Sequence, residues 1–469
     1  MENLKSYLIK NICCIGAGYV GGPTMAVIAD KCPTIEVNVV DIDHKRIKSW
    51  NEEDLSRLPV FEPGLDNLIK KNRNKNLFFT TKIEDSIKKA DMVFISVNTP
   101  TKKNGVGAGL ASDLCWVESC ARQVAEFAQS HTIVVEKSTL PVRTAEAIES
   151  ILNANFNADK EQDKSFSVLS NPEFLAEGSA INDLINPDRV LIGGRDIKAM
   201  NALKSIYLSW VDQDKILYSS LWSSELSKLV SNAFLAQRIS SINSISALCE
   251  KTDADIREVS MAIGRDKRIG ANFLNVSPGF GGSCFKKDIL NLVYLANYYG
   301  LPEVSEYWAQ VVKINDWQKK RISNLIIKKL FGTISGKKIA VLGFAFKANT
   351  NDTRESAAIS ICQDFLIEGA KVAIHDPKVD PKQISLHLNQ SQKDLKELNS
   401  MQGGWQFFEN IYESISDSDA ILILTEWDQY KDIDWLKVSN IMRSPSWVFD
   451  TRSIVNEISI KKTNLNYWN

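Results

Sequence analysis

At 469 residues, with 44% hydrophobic and 24% charged side chains, the chain is long enough for about three domains and has the make-up of a soluble globular enzyme. Its 56 basic and 57 acidic residues leave a formal net charge of −1, which argues against nucleic acid as a partner and against a charged tail. The eight cysteines show no CxxC pair and the four histidines are scattered, so neither a disulfide framework nor a metal site is expected, and the thiols suit a reducing, cytoplasmic setting.

The opening MENLKSYLIKNICCIGAGYVGG lacks the apolar core and cleavage site of a signal peptide, and no apolar run is long enough to cross a bilayer, so no membrane partner is expected. From there to about residue 220, β-rich runs alternate with helical stretches. Strands are predicted at Asn11–Ile15, Glu36–Val40, Asp91–Val97, Thr132–Glu136, Ser167–Ser170 and Arg189–Ile192. Most are near-continuous apolar runs, as in a parallel sheet covered on both faces, and the alternation predicts a doubly wound α/β domain.

The first strand runs into Gly16-Ala-Gly18-Tyr19-Val20-Gly21, a GxGxxG turn opening a helix. Glycines there permit the tight turn and close phosphate approach, and the helix N-terminus supplies amide donors and a positive dipole. Asp41 closes the second strand, where an acid hydrogen-bonds a ribose 2′-hydroxyl and repels a 2′-phosphate, so NAD is favoured over NADP; Lys45 and Arg46 blunt that exclusion slightly. Three later strand ends carry polar turns, Val97-Asn-Thr99-Pro-Thr101, Glu136-Lys-Ser138-Thr139-Leu-Pro141 and Asn171-Pro-Glu173-Phe174-Leu175-Ala-Glu177. Any one alone would more often be a helix cap; in series at carboxyl ends of strands they border a ligand.

Residues 223–252 hold no glycine or proline and read as a long helix, on which Lys228 and Asn232 share a face. A solvated lysine is the plainer reading of Lys228; Asn232 beside it, able to orient a hydroxylated ligand or water, argues otherwise. Cys284 follows Gly281-Gly282-Ser283, whose amides suit an anion nest, with Lys286 and Lys287 close behind to favour negative charge on sulfur. A free cysteine is more often a small buried hydrophobe. A nucleophilic thiol paired with a nicotinamide site instead permits an alcohol to be taken to an acid in two NAD-dependent steps. A second helical run is predicted from Pro302 to about Leu330. Four further strands, in KKIAVLGFAF, AKVAIHDP, DAILILTEW and WVFDTR, predict a second α/β domain, with residues 385–410 polar and irregular. Lys347, Arg354 and Arg452, at or just beyond those strand ends, suit a phosphorylated ligand.

Taken together, GAGYVGGPT, FEPGL, FISVNTPT, EKST, LSNPEFLAEG, NPDRVLIGG, WSSELSKL, NAFLAQRISSINSISALCE, GFGGSCF, LGFAFK and DTRES resemble the motifs of the UDP-glucose/GDP-mannose dehydrogenase family from about Lys10 to Val455, its animal-type members above all. The resemblance implies two Rossmann-like doubly wound domains, residues 1–221 and 332–469, joined by a helical dimerisation domain, residues 222–331. It implies NAD-dependent, four-electron oxidation of UDP-glucose to UDP-glucuronate through a cysteine thiohemiacetal and thioester. Another nucleotide sugar, GDP-mannose or a UDP-N-acetylhexosamine, is the nearest rival substrate, and a non-catalytic NAD-binding protein the rival of another class; a simple hydroxyacid dehydrogenase would need no thiol.

By the same resemblance Cys284 is the nucleophile, Lys228 stabilises an oxyanion, Asp288 handles water with Asn232 and Thr139, and Glu173 is a general base. NAD would be held by Gly16, Gly18, Tyr19, Val20, Gly21, Asp41, Arg46, Val97, Thr99, Thr101, Ser138, Thr139, Glu177, Cys284 and Arg354. The UDP-sugar would lie against Glu173, Phe174, Leu175, Lys228, Asn232, Phe273, Leu274, Phe280, Gly281, Phe346, Lys347 and Arg452. Arg268 would reach a neighbouring subunit's substrate in a homodimer or trimer of dimers. The chain departs from the animal-type members at its last motif, Asp450-Thr-Arg452 where they have glycine before arginine, in lacking their longer basic tail, and in a polar insertion around Lys160; these bear on assembly and feedback control rather than on catalysis.

Overall fold

The computed structural model describes residues 6–154, 164–399 and 402–469; the insertion around Lys160 lies outside them. The chain divides into two compact units, Met1–Ser231 with Leu290–Tyr299, and Asn232–Ile289 with Gly300–Asn469.

The first unit is built on an eight-stranded sheet of β1 (Asn11–Ile15), β2 (Glu36–Val40), β3 (Leu77–Thr80), β4 (Met92–Ile95), β5 (Thr132–Glu136), β6 (Phe166–Ser170), β7 (Val190–Gly194) and β8 (Ile216–Ser219). Their order is β3-β2-β1-β4-β5-β6-β7-β8. The direction of winding reverses between β1 and β4, and β1 pairs in parallel with both β2 and β4 through Ile12 at the hub (Ile12↔Val37, Ile12↔Met92). Strands β4 and β5 are buried along their whole length because helices cover both faces, leaving one apolar cluster on each side. One pairing breaks the expected parallel pattern: β6 and β7 run antiparallel, meeting at Leu169↔Gly194 and Ser170↔Gly193. Glycine makes that crossing possible, since a Cβ on Gly194 would stand 2.5 Å from Leu169 Cδ2.

The second unit carries a six-stranded sheet of β9 (Lys338–Leu342), β10 (Lys371–His375), β11 (Gly404–Phe407), β12 (Ala420–Ile423), β13 (Trp447–Asp450) and β14 (Asn466–Trp468), ordered β11-β10-β9-β12-β13-β14 and parallel throughout. Counted from its own first strand, this is the order of the first six strands of the other sheet. The likeness extends to atoms. Gly16 N–H donates to the Val40 carbonyl at 2.8 Å, and Gly343 N–H to the His375 carbonyl at 2.8 Å. Both glycines have positive φ, +110° and +96°. The acid after each second strand accepts from the following loop: Ala17 N–H donates to Asp41, and Phe344 and Ala345 N–H donate to Asp376.

Two long helices, Leu221–Thr252 and Pro302–Lys329, and the shorter Phe285–Tyr298 lie between the sheet regions in sequence. The longest begins two residues before its predicted start. Four strands escape the sequence reading, β3 and β8 in the first sheet and β11 and β14 in the second. Among the described residues no helix is long and apolar enough to cross a membrane.

Candidate active site

In the first unit the glycine turn is fixed by the sheet. A Cβ on Gly16 would stand 2.3 Å from the Ser96 carbonyl oxygen, whereas one on Gly18 would meet nothing within 4 Å. Gly18 therefore faces space that the protein leaves open, at the N-terminal end of the helix Gly21–Lys31, with Val20 as N-cap and Tyr19 packed on the core. Asp41 is buried beside it, accepting from Ala17 N–H (2.9 Å), Asp43 N–H (3.0 Å) and Arg46 Nη1 (3.0 Å). The sequence reading set Arg46 against Asp41; the structure pairs them.

The turns after β4 and β5 are stitched together. Ser138 Oγ donates to the Val97 carbonyl (2.7 Å) and Thr99 Oγ1 to the Thr139 carbonyl (3.0 Å), while Thr101 bridges to Ser112. After β6, Glu173 turns back on its own loop: Oε1 accepts from Phe174 N–H (2.9 Å) and Leu175 N–H (3.1 Å). Its Oε2 lies 2.8 Å from Lys137 Nζ, a lysine only 3% exposed. Lys137 also donates to Asn171 Oδ1 (3.0 Å) and Tyr207 Oη (3.2 Å). Burial works against that charge, yet Glu173 and Tyr207 more than offset it, and Lys137 stays protonated above the ordinary lysine range. The Phe174 ring carries two cations, Arg189 at 4.0 Å and Lys228 at 5.3 Å. Half-buried Glu177 follows. Glu62, of the FEPGL motif, secures the end of this loop by accepting from Gly178 N–H (2.7 Å) and Ala180 N–H (3.2 Å).

In the second unit Cys284 is exposed and immediately precedes the helix Phe285–Tyr298, its carbonyl accepting the Asp288 N–H at 2.8 Å. The loop before it is held by buried amides of the two long helices. Asn315 takes both main-chain groups of Phe280, accepting its N–H (2.8 Å) and donating to its carbonyl (3.1 Å). Asn243 accepts the Ser277 N–H (3.0 Å), and Gln318 donates to the Ser277 carbonyl (3.0 Å). Phe280 itself is buried, edge-on to Phe285. Ser283 Oγ is 3.5 Å from the sulfur. The lysines expected to attend the thiol have partners of their own, Lys286 with Glu355 at 3.0 Å and Lys287 with Asp288 at 3.8 Å. Asn232, one turn beyond Lys228 on its helix, donates to Asp288 Oδ2 at 2.6 Å, both residues being buried.

The same loop meets the motifs after β9. Gly282 N–H donates to the Arg354 carbonyl (2.8 Å), and a Cβ on Gly281 would stand 2.8 Å from both the Glu355 carbonyl oxygen and Phe346 Cβ. Arg452 Nη2 donates to the Phe346 carbonyl (3.0 Å), and half-buried Lys347 follows. Thus Gly281, Phe346, Arg354 and Arg452 are gathered around one turn. Arg354 is forked onto Asp352, and Arg452 also pairs with Glu426 at 3.1 Å. Arg268 stands apart, its side chain 89% exposed and paired with Asp266 at 2.6 Å. The loop after it is pinned by Arg238, which donates to the Ile269, Gly270 and Asn272 carbonyls (2.9, 2.7 and 2.8 Å). Within it Phe273 is exposed at φ +62° and Leu274 is buried.

Sequence reasoning passed over Lys137, Glu62, Asn243, Asn315, Gln318 and Arg238. A signal existed for two of them: Asn315 and Gln318 fall at helical spacing with buried Val311, Ile322 and Ile326, so they are amides on a core-facing stripe. Among the described residues no group of three or more His, Cys, Asp or Glu is placed to hold a metal ion.

Comparison with known proteins fits this geometry. Profiles of one family match in three successive blocks: its NAD binding domain at residues 10–211, its central domain at 222–317 and its UDP binding domain at 340–457. The chain belongs to the UDP-glucose/GDP-mannose dehydrogenase family. Relatives in this dehydrogenase family include UDP-glucose 6-dehydrogenase 4 of Arabidopsis thaliana, 54% identical over 95% of this chain and 93% of that protein. UDP-glucose 6-dehydrogenase 1 of Glycine max is 53% identical over 96% and 95%. Among solved structures, a UDP-glucose dehydrogenase from Pyrobaculum islandicum superposes with a TM-score of 0.81 at 29% identity, covering 98% of each chain. As a member of the family the chain is an oxidoreductase whose cofactor is NAD. The residues present fit that cofactor, because the space left open at Gly18 lies where a pyrophosphate approaches a helix N-terminus.

The Asp41–Arg46 pair offers a test of the cofactor choice. Replacing Asp41 with Ser removes the anion that repels a 2′-phosphate and frees a guanidinium to meet one. The expected result is a rise of ~10-fold or more in the ratio of NADP to NAD efficiency, read as kcat/KM for each. An unchanged ratio would show that the acid does not meet the ribose.

Proposed function

We propose that this dehydrogenase oxidises C6 of UDP-glucose to the carboxylate of UDP-glucuronate in two steps, the second on a thiohemiacetal of Cys284. The observation that carries the reading is Cys284 itself, exposed at a helix N-terminus on a loop whose backbone is clamped by Asn315, Asn243 and Gln318. Relatives at 54% and 53% identity are UDP-glucose 6-dehydrogenases, which supports the choice of sugar.

NAD, when bound, accepts one hydride from C6 at each oxidation. Loss of the first hydride and the hydroxyl proton gives an aldehyde. The Cys284 thiolate adds to its carbon, and Lys228 supplies positive charge to the oxygen. Loss of the second hydride leaves a thioester. Water then adds, with Glu173 taking its proton, and the C–S bond breaks to return the thiolate. Asp288, held by Asn232, together with Thr139 orients that water. Phe280, Gly281, Phe346, Lys347 and Arg452 hold the nucleoside diphosphate, while Phe174, Leu175, Phe273 and Leu274 border the sugar. Gly16, Gly18, Gly21, Asp41, Arg46, Thr101, Ser138, Glu177 and Arg354 hold NAD.

The working form is a homodimer or a trimer of dimers in the cytoplasm, with Arg268 reaching a neighbouring subunit's sugar. Two features support this assembly: the exposure of Arg268, and the large apolar side chains left outward on the long helices, Phe234, Leu248, Tyr307 and Trp317. A panel of nucleotide sugars tests the reaction. Two NADH are expected per UDP-glucose consumed, with little turnover of GDP-mannose or UDP-N-acetylhexosamines. One NADH per sugar with free aldehyde as product, or a preference for another sugar nucleotide, would overturn the proposal.

A further inference from the structure

Lys137 sits at the carboxyl end of β5 and takes no part in the steps above, yet it is among the most fully enclosed cations of the first unit. Its ammonium touches three groups from two other elements: Glu173 Oε2 and Asn171 Oδ1 after β6, and Tyr207 Oη at the end of the helix Ile197–Tyr207. Each partner is itself fixed. Tyr207 Oη donates to Asn171 Oδ1 (2.7 Å), and Asn171 Nδ2 donates to the Leu191 carbonyl of β7 (2.8 Å). Asn171 N–H donates to the Glu136 carbonyl (2.9 Å). Such a network is costly to bury unless complete, and here the lysine's three protons have three acceptors.

A lysine meant only to pack β5 against β6 would not need a carboxylate. A buried ion pair is on average no more stabilising than an apolar pair of the same size. What the pair does uniquely is fix an anion. With Oε2 on Lys137 and Oε1 on the Phe174 and Leu175 amides, the Glu173 carboxylate has one orientation.

We propose that Lys137 is a positioning residue for the second half of the reaction, holding Glu173 oriented so that it can accept the proton of the water that attacks the thioester. The inference rests on the proposed role of Glu173. Other charged and titratable groups facing this region are Tyr207, Cys14 of β1, and Arg189 and Lys228 on the Phe174 ring. Arg189 and Lys228 remain as cations when Lys137 is changed, so the effect to be sought is the part that only direct contact supplies.

What the contact supplies is aim. The Lys137 ammonium and the Phe174 and Leu175 amides together fix the plane of the Glu173 carboxylate, so losing the lysine slows the step that needs Glu173, hydrolysis of the thioester, and spares the steps before it.

The test loads the whole enzyme with UDP-glucose and NAD and follows both formation and decay of the covalent adduct by intact-protein mass spectrometry after rapid quenching. In Lys137→Met or Lys137→Gln the adduct is expected to form at near the parent rate and to decay ~10-fold or more slowly, while KM for UDP-glucose changes little. Adduct formation slowed by the same factor as decay, or a loss that appears in KM instead, would assign Lys137 to packing alone and overturn the proposal. Should both neutral variants fail to fold, Lys137→Arg serves: it keeps a cation but not the fit, so formation should stay near the parent's while decay falls, and an equal fall in both would overturn the proposal. Glu173→Gln separates this from its premise. It should form the adduct and fail to hydrolyse it; normal hydrolysis in Glu173→Gln would remove the base itself, whatever the lysine variants do.

Discussion

Changing Cys284 to Ser is expected to abolish UDP-glucuronate formation, lowering turnover by ~10³-fold or more, with UDP-glucose affinity near that of the parent. Serine occupies nearly the same volume at the same exposed site, and the loop is held by Asn315, Asn243 and Gln318 through main-chain groups that the substitution leaves alone. The loss is therefore chemical. A hydroxyl needs an activating base at neutral pH, and the histidines of Cys284's own unit, His375 and His387, are paired with Tyr430 and Thr353. Any ester that does form would lack thioester reactivity and accumulate as a stable adduct. Intact mass after incubation with UDP-glucose and NAD reads either no turnover or that adduct. Product formation at the parent rate would return Cys284 to the role of a packing residue.

A second pair of substitutions separates fold from cofactor within one turn. Gly18→Val is expected to leave the melting temperature nearly unchanged and to weaken NAD binding ~100-fold or more, because a Cβ there meets no protein atom within 4 Å and the side chain enters the space a pyrophosphate requires. Gly16→Ala is expected to do the reverse first. Its φ of +110° is unfavourable for any side chain and its Cβ would collide with the Ser96 carbonyl, so a loss of about 3–5 kcal/mol in stability should precede any question of binding. Thermal unfolding with and without NAD measures both. Equal destabilisation by the two substitutions would mean that the space at Gly18 is closed in solution.

Most of the central strands were legible because each is a short apolar run buried on both faces; β1, β4, β5, β9 and β12 all have this form. The strands that escaped are edge strands or short, partly exposed pieces. Leu77-Phe-Phe-Thr80 alternates buried and half-buried positions between lysine-rich stretches, Ile216–Ser219 is largely exposed, and Asn466–Trp468 is three residues long. Sheet pairing, not local pattern, makes them strands. The site shows the same division. Candidate site residues on turns at strand ends, such as Gly18, Asp41 and Glu173, announce themselves by motif and position. Asn315 and Lys137 brace such loops from behind: one looks like an ordinary polar residue on a long helix, the other like the second letter of a turn. Only their partners, 35 and 36 residues away in sequence, give them meaning.

The kinship between the two sheets has a consequence for the order of events. Gly343 repeats Gly16, and Asp376 repeats Asp41. The next two positions of the second turn, however, are Phe344 and Ala345, both buried, and Phe344 is sealed into the core where the first turn has Ala17 and then the open Gly18. The second sheet therefore has no room for a dinucleotide in that place. On the proposed reading the turn at Gly18 serves both hydride transfers, so spent cofactor has to leave and fresh cofactor arrive between the two oxidations. In the proposed mechanism the Cys284 tether would hold the half-oxidised sugar through that exchange, where a free aldehyde would diffuse away.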